Sequence, residues 1–398
     1  MKKTIVIGVT GGIAAYKIAD LCSRLRKQAY DVHVLMSKNA TEFITPLTLQ
    51  TLTNNKVCVD NFETIDQYDV HHISLAKKAD LFLLAPCTAN VLAKVVHGLA
   101  DDLLTTTFLA ATCPKLICLA MNTQMYENPI TQDNIKRAKS YGMHFVEPET
   151  GVLACKDVGK GRLASLDHIN EAIDYHLTQK CLAGKRVLVS AGCTQEAIDP
   201  VRFISNHSSG KMGLAIARQA ANMGAQVTLV HGPVNVEHSF VNLIGVSSSE
   251  EMFEAMKKEA VEADFIIKAA AVADYTPCET MQQKLKKNEE IFDLKLKKTQ
   301  DILAYLGEHK PAHQVICGFA METEDLIENA RKKLVKKHLD MIVANNLNTQ
   351  GAGFKTDTNV VSIIDDENVE SLDLMSKDEL AKEILLRMLK RREDVINH

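Results

Sequence analysis

The sequence predicts an α/β protein built from two doubly wound parallel-sheet domains, a flavodoxin-like domain followed by a Rossmann-like domain. Short apolar runs typical of buried strands alternate with segments of helical periodicity, as in right-handed βαβ units. This pattern restarts at residue 185 with the same order of basic, apolar and glycine residues as at the N-terminus. The length of 398 residues suits two domains. We place them at residues 1–180 and 185–398.

Composition excludes several classes of protein. The 46 basic and 50 acidic side chains give a net charge of −4, which provides no overall field to attract nucleic acid or an anionic membrane. No uncharged apolar run reaches the roughly 18 residues that a membrane-spanning helix needs. The 10 cysteines are scattered and form no C-x-x-C pair, a pattern typical of reduced thiols. We therefore expect a cytoplasmic protein with no nucleic-acid or membrane partner.

The first domain is predicted from five apolar runs with helices between them. A polar helical segment at 167–180 ends the domain. The predicted strands are residues 4–9, 32–36, 81–85, 116–120 and 144–146.

The second domain begins at the apolar run 185–192. A lysine-rich stretch at 276–298 alternates charged and apolar residues and predicts a strand-bearing arm. Further strands are predicted at 226–230, 265–269, 315–319 and 341–344, and helices near 213–223, 250–262 and 324–338.

A glycine-rich turn follows the first predicted strand. Its sequence, GVTGGIAA at 8–15, opens a helix, where free backbone N–H groups and the helix dipole favour an anion such as a phosphate. The spacing is not that of G-x-G-x-x-G, so a nicotinamide fingerprint is not met. A tight turn without a ligand remains an alternative. The segment APCTAN at 85–90 ends another strand at the same sheet edge, where ligands of such folds collect.

With FITP at 43–46, HHISL at 71–75 and AMNTQMY at 120–126, the first domain closely resembles the flavin-containing cysteine decarboxylases over residues 1–177. The resemblance implies an FMN cofactor. It implies that His72 positions or deprotonates the substrate thiol, Asn122 holds the carboxylate, and Cys155, in a glycine-rich flap at 151–162, donates a proton. The FMN site is assigned to Gly11, Gly12, Ser37, Thr88 and Asn90.

Taken singly, these residues have ordinary explanations. A lone cysteine is more often an inert apolar residue, an HH pair is usually a surface feature, and an Asn after a strand is usually a helix N-cap. Their appearance in the family's order is what carries the resemblance.

The segment VRFISNHSSGKMG at 201–213 is the most informative of the second domain. Its hydroxyls, glycines and lysine can hold a phosphate at a helix start, and it is not a Walker motif. With AAAVADY at 269–275, KLKK at 284–287, GFAMET at 318–323 and ARKKLVKKHLD at 330–340, it resembles bacterial phosphopantothenate-cysteine ligases over residues 185 to about 390. Both resemblances in this order match the bifunctional decarboxylase/ligase family of coenzyme A synthesis.

That resemblance implies 4′-phosphopantothenate and L-cysteine as substrates, CTP as cosubstrate, an acyl-cytidylate intermediate and Mg²⁺, with no metal ligands identified. Asn206 would stabilise the intermediate and Lys284, on the arm, would close over it. Family members assemble from trimers of flavin domains and dimers of ligase domains, which implies a dodecamer. The substrate and CTP site is assigned to Arg202, Ser209, Gly210, Lys211, Ala271, Asp274, Asp301, Phe319, Lys333 and Lys337.

Spacing alone supports one part of this assignment. Lys333 and Lys337 are four residues apart, so both ammonium groups lie on one helix face, where they can bind a triphosphate. A lysine-rich helix is nevertheless most often a solvated face.

Three other functions remain as alternatives. A nicotinamide-dependent dehydrogenase or sugar-nucleotide epimerase would need the G-x-G-x-x-G turn that both domains lack. A non-catalytic flavodoxin-like binding protein would have lost His72 or Cys155, and both are present. A decarboxylase of C-terminal peptide cysteines would not need the attached ligase half.

Overall fold

A computed structural model describes residues 2–60, 71–152, 158–236, 238, 240–285, 293–322, 325–346 and 356–397, without the side chains of 71, 72, 322, 346 and 394–397. The chain divides into two compact units, Met1–Thr178 and Gln179–His398. No helix among these described ranges combines the length and apolarity required to cross a bilayer.

The first unit contains a five-stranded parallel sheet in the order β2-β1-β3-β4-β5, which is the flavodoxin-like order. All five predicted strands are present, with ends shifted by at most two residues. An antiparallel hairpin that we did not predict, β6–β7, follows the sheet. The strands are β1 (Thr4–Val9), β2 (Asp31–Met36), β3 (Leu81–Cys87), β4 (Lys115–Leu119), β5 (His144–Val146), β6 (Glu149–Val152) and β7 (Val158–Arg162).

Helices cover both faces of this sheet, because alternate residues of β1 point to opposite sides. Ile5 and Ile7 pack with helices α1, α2 and α8, whereas Val6 packs with α3, α4, α5 and α7. The helices are α1 (Lys17–Lys27), α2 (Pro46–Thr53), α3 (His71–Lys78), α4 (Ala89–Val96), α5 (Leu103–Ala110), α6 (Thr123–Glu127), α7 (Pro129–Ser140) and α8 (Leu166–Leu177).

The second unit contains an eight-stranded sheet in the order β12-β11-β8-β13-β16-β17-β18-β19. Its first six strands are parallel in Rossmann order, which confirms the predicted fold class. We expected a parallel sheet only. The last two strands, β18 and β19, were not expected and pair antiparallel with their neighbours. The sheet strands are β8 (Arg186–Ala191), β11 (Gln226–His231), β12 (Val241–Gly245), β13 (Phe265–Lys268), β16 (Val315–Glu322), β17 (Met341–Asn346), β18 (Thr358–Ile364) and β19 (Val369–Ser376).

Two short hairpins stand apart from this sheet. One pairs β9 (Gln195–Ala197) with β10 (Phe203–Ser205). The other pairs β14 (Tyr275–Pro277) with β15 (Leu296–Lys298), so the predicted arm does begin and end in strands.

Helices again cover both faces of the sheet. The helices α9 and α13 pack on the face of Val187 and Val189, and α10, α11 and α12 pack on the face of Leu188. The helices are α9 (Lys211–Asn222), α10 (Ser249–Ala260), α11 (Ile302–His309), α12 (Leu326–Lys336) and α13 (Lys377–Asn397).

Candidate active sites

A cavity of about 760 Å³ lies in the first unit where β1, β3 and β4 end. In the order 2-1-3-4-5, β1 and β3 flank the point at which the strand order reverses, and open α/β sheets bind ligands there. The volume is in the range of small-molecule sites. The lining residues include Gly11, Gly12, Ile13, Tyr16, Lys17, Thr88, Met121, Asn122, Met125, Val152 and Arg162.

The rim of this cavity has features of a phosphate site. The Gly11–Gly12 turn leads into a 3-10 helix at Ile13–Tyr16, and a Cβ at Gly11 would lie 2.5 Å from the Cβ of Asn39. Ser37, which follows β2 and is not among the residues that line the cavity, donates its backbone N–H to the Val9 carbonyl at the end of β1. The Ser37 hydroxyl is buried and has no hydrogen-bond partner within the described part of the chain. A buried polar group without a partner is costly, so an acceptor such as a phosphate oxygen fits this position.

Two cations at the cavity were missed in the sequence. Lys17, the first residue of α1, and Arg162, the last of β7, both line it. Burial lowers the pKa of Lys17, and Arg162 lowers it further, against a smaller opposing effect of Glu149. A pair of cations that destabilise each other favours an anionic ligand between them. They come from elements 145 positions apart in the chain, so no local pattern could reveal them.

The remaining predicted residues of this unit are distributed unevenly. Thr88 and Asn122 line the cavity, each as an N-cap: Thr88 Oγ1 accepts from the Val91 N–H, and Asn122 Oδ1 from the Gln124 N–H. Asn90 is exposed in the first turn of α4 and is absent from the lining. Cys155 and the side chain of His72 lie outside the described residues.

In the second unit, two adjoining cavities lie where β8, β13 and β16 end, again at the point of strand-order reversal. The basic cavity, of about 390 Å³, is lined by Asp301, Lys333 and Lys337 among others. The loop cavity, of about 540 Å³, is lined by residues 205–213. The residues common to both linings are Lys268, Val272, Asp274 and Phe319. Ten of the predicted residues, Ala271 included, thus line these two cavities.

Two glycines bring the 205–213 loop against the end of β8. Gly210 is the N-cap of α9 with a φ of +77°, and its missing Cβ would lie 3.1 Å from the Gly192 nitrogen. At Gly213 a Cβ would lie 2.6 Å from the Ala191 Cβ. The first N–H groups of α9 are therefore held beside the loop cavity, where they favour an anion.

Asn206 is connected to the neighbouring strand end. Its side-chain amide donates to the Ala271 carbonyl at 3.2 Å, and the Ala271 N–H donates to the Gly192 carbonyl at 2.8 Å. Ser205, next to it, donates to the Thr194 carbonyl at 2.7 Å. The side-chain amide of Asn206 is therefore held on Ala271, which is itself bonded to the end of β8.

The basic cavity carries an excess of positive charge. Four lysines line it, Lys268, Lys298, Lys333 and Lys337, against two aspartates. Lys337 Nζ lies 2.9 Å from Asp301 Oδ2, and Asp301 also accepts from the Ala304 N–H as the N-cap of α11. Burial raises the pKa of Asp301, but these partners outweigh it and the net pKa is lowered.

Lys268 is the central cation that sequence reasoning missed. Its half-buried side chain lies at the junction of the two cavities, and Nζ donates to the Ala270 carbonyl at 2.8 Å. Burial lowers its pKa to about 8, and Lys337 adds to the effect while Asp301 and Asp274 oppose it. The available signal was a lysine at the end of the apolar run FIIKAAA, because lysines are seldom buried without a reason.

The far wall of the loop cavity adds groups from the antiparallel edge and α13. Lys377 begins α13 and Lys211 begins α9; burial lowers the pKa of Lys377, and Lys211 lowers it further. Lys211 is paired with Asp357 at 2.6 Å. Among the described residues, the buried side-chain oxygen of Asn345 has no hydrogen-bond partner. This wall therefore combines two lysines with a buried side-chain oxygen that can accept a hydrogen bond from a ligand.

Two predicted residues lie outside both linings. Arg202 donates to the Leu285 carbonyl at 2.6 Å, and Lys284 is exposed on the arm. Within the described ranges, no group of three or more His, Cys, Asp or Glu side chains is placed to bind a metal ion.

Two family models match the chain. The flavoprotein family matches residues 1–178, and the C-terminal domain of DNA/pantothenate metabolism flavoproteins matches residues 182–391. A coenzyme A biosynthesis bifunctional protein CoaBC of Bacillus subtilis is 44% identical over 389 residues, 96% of each chain. One of Borreliella burgdorferi is 43% identical over 387 residues, 96% of this chain and 98% of the relative.

Among solved structures, the C-terminal domain of a CoaBC protein is 41% identical, covers 54% of this chain and 100% of its own, and has a TM-score of 0.47. The FMN-dependent cysteine decarboxylase SpaF is 29% identical, covers 44% of this chain and 95% of its own, and has a TM-score of 0.39. The full-length matches, with a flavoprotein half and then a pantothenate-metabolism half, show that the chain belongs to the family of coenzyme A biosynthesis bifunctional proteins.

Proposed function

We propose that the second unit joins 4′-phosphopantothenate to L-cysteine with CTP, and that the first unit decarboxylates the product with FMN. The chain is a bifunctional enzyme of coenzyme A biosynthesis, with a flavoprotein decarboxylase half and a ligase half. The observation that carries the finer assignment is the pair of adjoining cavities that share Lys268, Asp274 and Phe319. A reaction between two phosphorylated substrates needs two anion sites that meet at the reacting atoms.

In this proposal the basic cavity binds the nucleotide and the loop cavity binds 4′-phosphopantothenate. The carboxylate of the pantothenate attacks the α-phosphorus of CTP, pyrophosphate leaves, and the amine of cysteine then displaces CMP. Negative charge accumulates on the transferring phosphoryl group, so fixed cations around it lower the barrier. Lys333 and Lys337 suit the triphosphate, and Lys268 lies at the junction where the two substrates would meet.

Asn206 and Lys284 are proposed to act on the acyl-cytidylate. The amide of Asn206, already anchored to the Ala271 carbonyl, is neutral and can contact the acyl group without adding charge. Replacing it by Asp adds a negative charge beside the forming intermediate, so Asn206→Asp should slow pyrophosphate release while flavin chemistry continues. Lys284→Gln should retain pyrophosphate release and lose amide formation, because the arm has lost the cation proposed to cover the intermediate.

Magnesium enters the proposal with the nucleotide. Mg²⁺ is commonly bound by substrate phosphates with one or two carboxylates, so a dedicated cluster of protein ligands is not required. Asp274 lines both cavities and is assigned to the cytidine, and Asp301 is already paired with Lys337. Bound Mg²⁺ would neutralise phosphate charge.

The nucleotide preference tests the ligase proposal. Asp274 and Phe319 line both cavities, and in this proposal the carboxylate bonds to the cytidine and the ring packs near its base. A different base would leave a polar group unpaired. We expect at least tenfold faster pyrophosphate release with CTP than with ATP, measured with 4′-phosphopantothenate and without cysteine. Equal use of the two nucleotides would refute the assignment of this wall.

In the first unit, the proposed FMN site combines the Gly11–Gly12 turn, the Ser37 hydroxyl and Thr88, with Asn90 as its outermost candidate. The Ser37 hydroxyl, which is buried and lacks a partner among the residues that the structure describes, supports a phosphate here. When bound, FMN supplies reversible two-electron oxidation of the substrate thiol, which makes loss of carbon dioxide feasible. Bound flavin should give the purified protein visible absorbance, and a colourless protein that does not take up added FMN would contradict this site.

The side chains around that site are proposed to handle the substrate. Lys17 and Arg162 suit the anionic end of 4′-phosphopantothenoylcysteine, because both are cations on the cavity wall. Asn122 would hold the carboxylate by a neutral hydrogen bond, His72 would position or deprotonate the thiol, and Cys155 would return a proton to carbon. Cys155→Ser should still release carbon dioxide and should fail to yield 4′-phosphopantetheine, as a hydroxyl is a far weaker acid than a thiol.

Assembly and location complete the proposal. A dodecamer from trimers of the first unit and dimers of the second predicts a solution mass of about twelve chains, readily measured by light scattering. A cytoplasmic location is proposed on the basis of the coenzyme A substrates and of the scattered cysteine spacing, which is typical of reduced thiols.

A further inference from the structure

A buried aspartate stands between the two strands of the β9–β10 hairpin. The side chain of Asp199 has no exposed surface, and no role follows for it from the sequence motifs. Burial raises its pKa, but hydrogen bonds from the backbone N–H groups of Val201, Leu285 and Arg202 outweigh that effect, so its pKa is lowered and the carboxylate stays ionised. A buried carboxylate is retained only where its partners are well placed.

The two oxygens of Asp199 have different partners. Oδ1 accepts from the N–H groups of Val201 and Arg202, both at 2.8 Å, which closes the local turn. Oδ2 reaches 86 residues along the chain and accepts from the Leu285 N–H at 3.1 Å. It also lies 3.4 Å from Nε of Arg202. One carboxylate therefore joins the hairpin to the arm.

Arg202 completes the connection from the other side. Its guanidinium donates to the Leu285 carbonyl at 2.6 Å while its Nε faces Asp199. Both backbone groups of Leu285 are thus bound by one paired Asp–Arg unit. The chain just before it is also held, since the Met281 N–H donates to the Ile198 carbonyl at 2.9 Å.

We propose that Asp199 is a positioning residue of the ligase, which together with Arg202 holds Leu285 and so places Lys284 relative to Asn206. Lys284 is the neighbour of the clamped residue, and β10, which follows Asp199, leads directly into Asn206. The clamp thus connects the two groups assigned to the acyl-cytidylate through one short stretch of chain. This inference rests on the proposed role of Lys284, whereas the clamp itself can be tested without any ligase activity.

The position of Arg202 acquires a different explanation on this basis. The sequence placed it in the substrate and CTP site, yet its charged group is engaged with Asp199 and Leu285. Its effect on catalysis is then exerted through the arm. Two nitrogens of the guanidinium, Nε and Nη2, are occupied by these contacts.

The variant Asp199→Asn separates the two functions of the side chain. Asparagine keeps one oxygen for the Val201 and Arg202 N–H groups, so the turn persists. Its amide nitrogen can neither accept from the Leu285 N–H nor attract Arg202. Asp264→Asn is the matched control, since Asp264 also accepts a backbone N–H, from Arg186 at 2.7 Å, and also pairs with an arginine, Arg392, at the opposite end of β13.

The first readout is trypsin cleavage of the Lys284–Leu285 bond in the full chain, quantified by mass spectrometry well below the unfolding temperature. A protease needs this segment free and extended, so bound Leu285 groups protect the bond. We expect cleavage about tenfold faster in Asp199→Asn and unchanged in Asp264→Asn. Unchanged cleavage in Asp199→Asn overturns the clamp. Should that variant not fold, Arg202→Gln, which frees the Leu285 carbonyl, must show the same acceleration.

The second readout is a double-mutant cycle on amide formation, with pyrophosphate release measured in parallel. If Asp199 acts through Lys284, Asp199→Asn lowers amide formation about tenfold and leaves pyrophosphate release within about twofold, and it adds no further loss to Lys284→Gln. Additive losses would refute action through Lys284. Faster cleavage with unchanged amide formation in both Asp199→Asn and Lys284→Gln would retain the clamp and reject the proposed role of Lys284.

Discussion

Replacing Lys268 by methionine should make the protein more stable at neutral pH and a poorer ligase. The pKa of Lys268 falls from its ordinary value of 10.5 to about 8, because burial and Lys337 penalise its charge. A shift of about 2.5 units corresponds to roughly 3 kcal/mol of penalty on the charged folded state. The methionine also loses the hydrogen bond to the Ala270 carbonyl, which offsets about half of the stability gained by removing that penalty. We expect a net gain of about 1 to 2 kcal/mol at pH 7.

The gain should depend on pH in a defined direction. Below about pH 8 Lys268 is protonated in both the folded and the unfolded chain, so wild type carries the whole penalty. Between about pH 8 and 10.5 the folded protein has released the proton and the unfolded chain still holds it, so wild-type stability rises with pH. The advantage of Lys268→Met is therefore largest at neutral pH and shrinks as the pH approaches 10.

Thermal unfolding of the nucleotide-free full chain at pH 7 and pH 9.5 measures this effect. For a unit of this size, 1 to 2 kcal/mol raises the Tm by roughly 2 to 8 °C. Lys298→Met removes an exposed lysine of the same cavity and should change the stability by less than about 0.5 kcal/mol. A Lys268→Met protein less stable than wild type at pH 7, or a stability difference that does not change with pH, would refute the reasoning.

Three further variants test other parts of the two sites. Ser37→Ala should weaken FMN binding about tenfold in a fluorescence titration and leave the flavin-free protein at least as stable, because it deletes a buried hydroxyl without a partner; a stability loss above about 1 kcal/mol would contradict that. Lys17→Met should lower decarboxylase kcat/KM about tenfold with amide formation unchanged, and equal losses in both activities would argue against its placement. Gly213→Ala should destabilise the second unit by about 1 to 3 kcal/mol, since the added Cβ lies 2.6 Å from that of Ala191, and an unchanged Tm would contradict the close approach.

The strand pattern was readable because parallel strands are buried on both faces and appear as continuous apolar runs. All five strands of the first sheet, and the glycine turn after β1, were located in this way. The antiparallel edge, β18 and β19, was not predicted. In β19 both Glu370 and Asp373 are exposed, so this strand is not a continuous apolar run, and it is stabilised by pairing with β18, which in turn pairs with β17.

Some of the cations that line the sites could be predicted from the sequence and others could not. Lys333 and Lys337 were found because they are four residues apart on one helix. Lys17 and Arg162, by contrast, meet only once α1 and β7 have packed at the edge of the first sheet. Lys377 begins the last helix, and nothing in its neighbours indicates that it lines the loop cavity. Such residues are defined by tertiary structure, in which distant charges share one cavity.

The account's central claim is that one chain performs both reactions in sequence. The most direct test supplies the purified protein with 4′-phosphopantothenate, CTP, Mg²⁺ and L-cysteine labelled at the carboxyl carbon, and follows labelled carbon dioxide. The label can be released by this route only after cysteine has been ligated and then decarboxylated. We predict release that requires both CTP and 4′-phosphopantothenate and equals the 4′-phosphopantetheine formed. Release from cysteine alone, or amide that accumulates without any labelled gas, would contradict the claim.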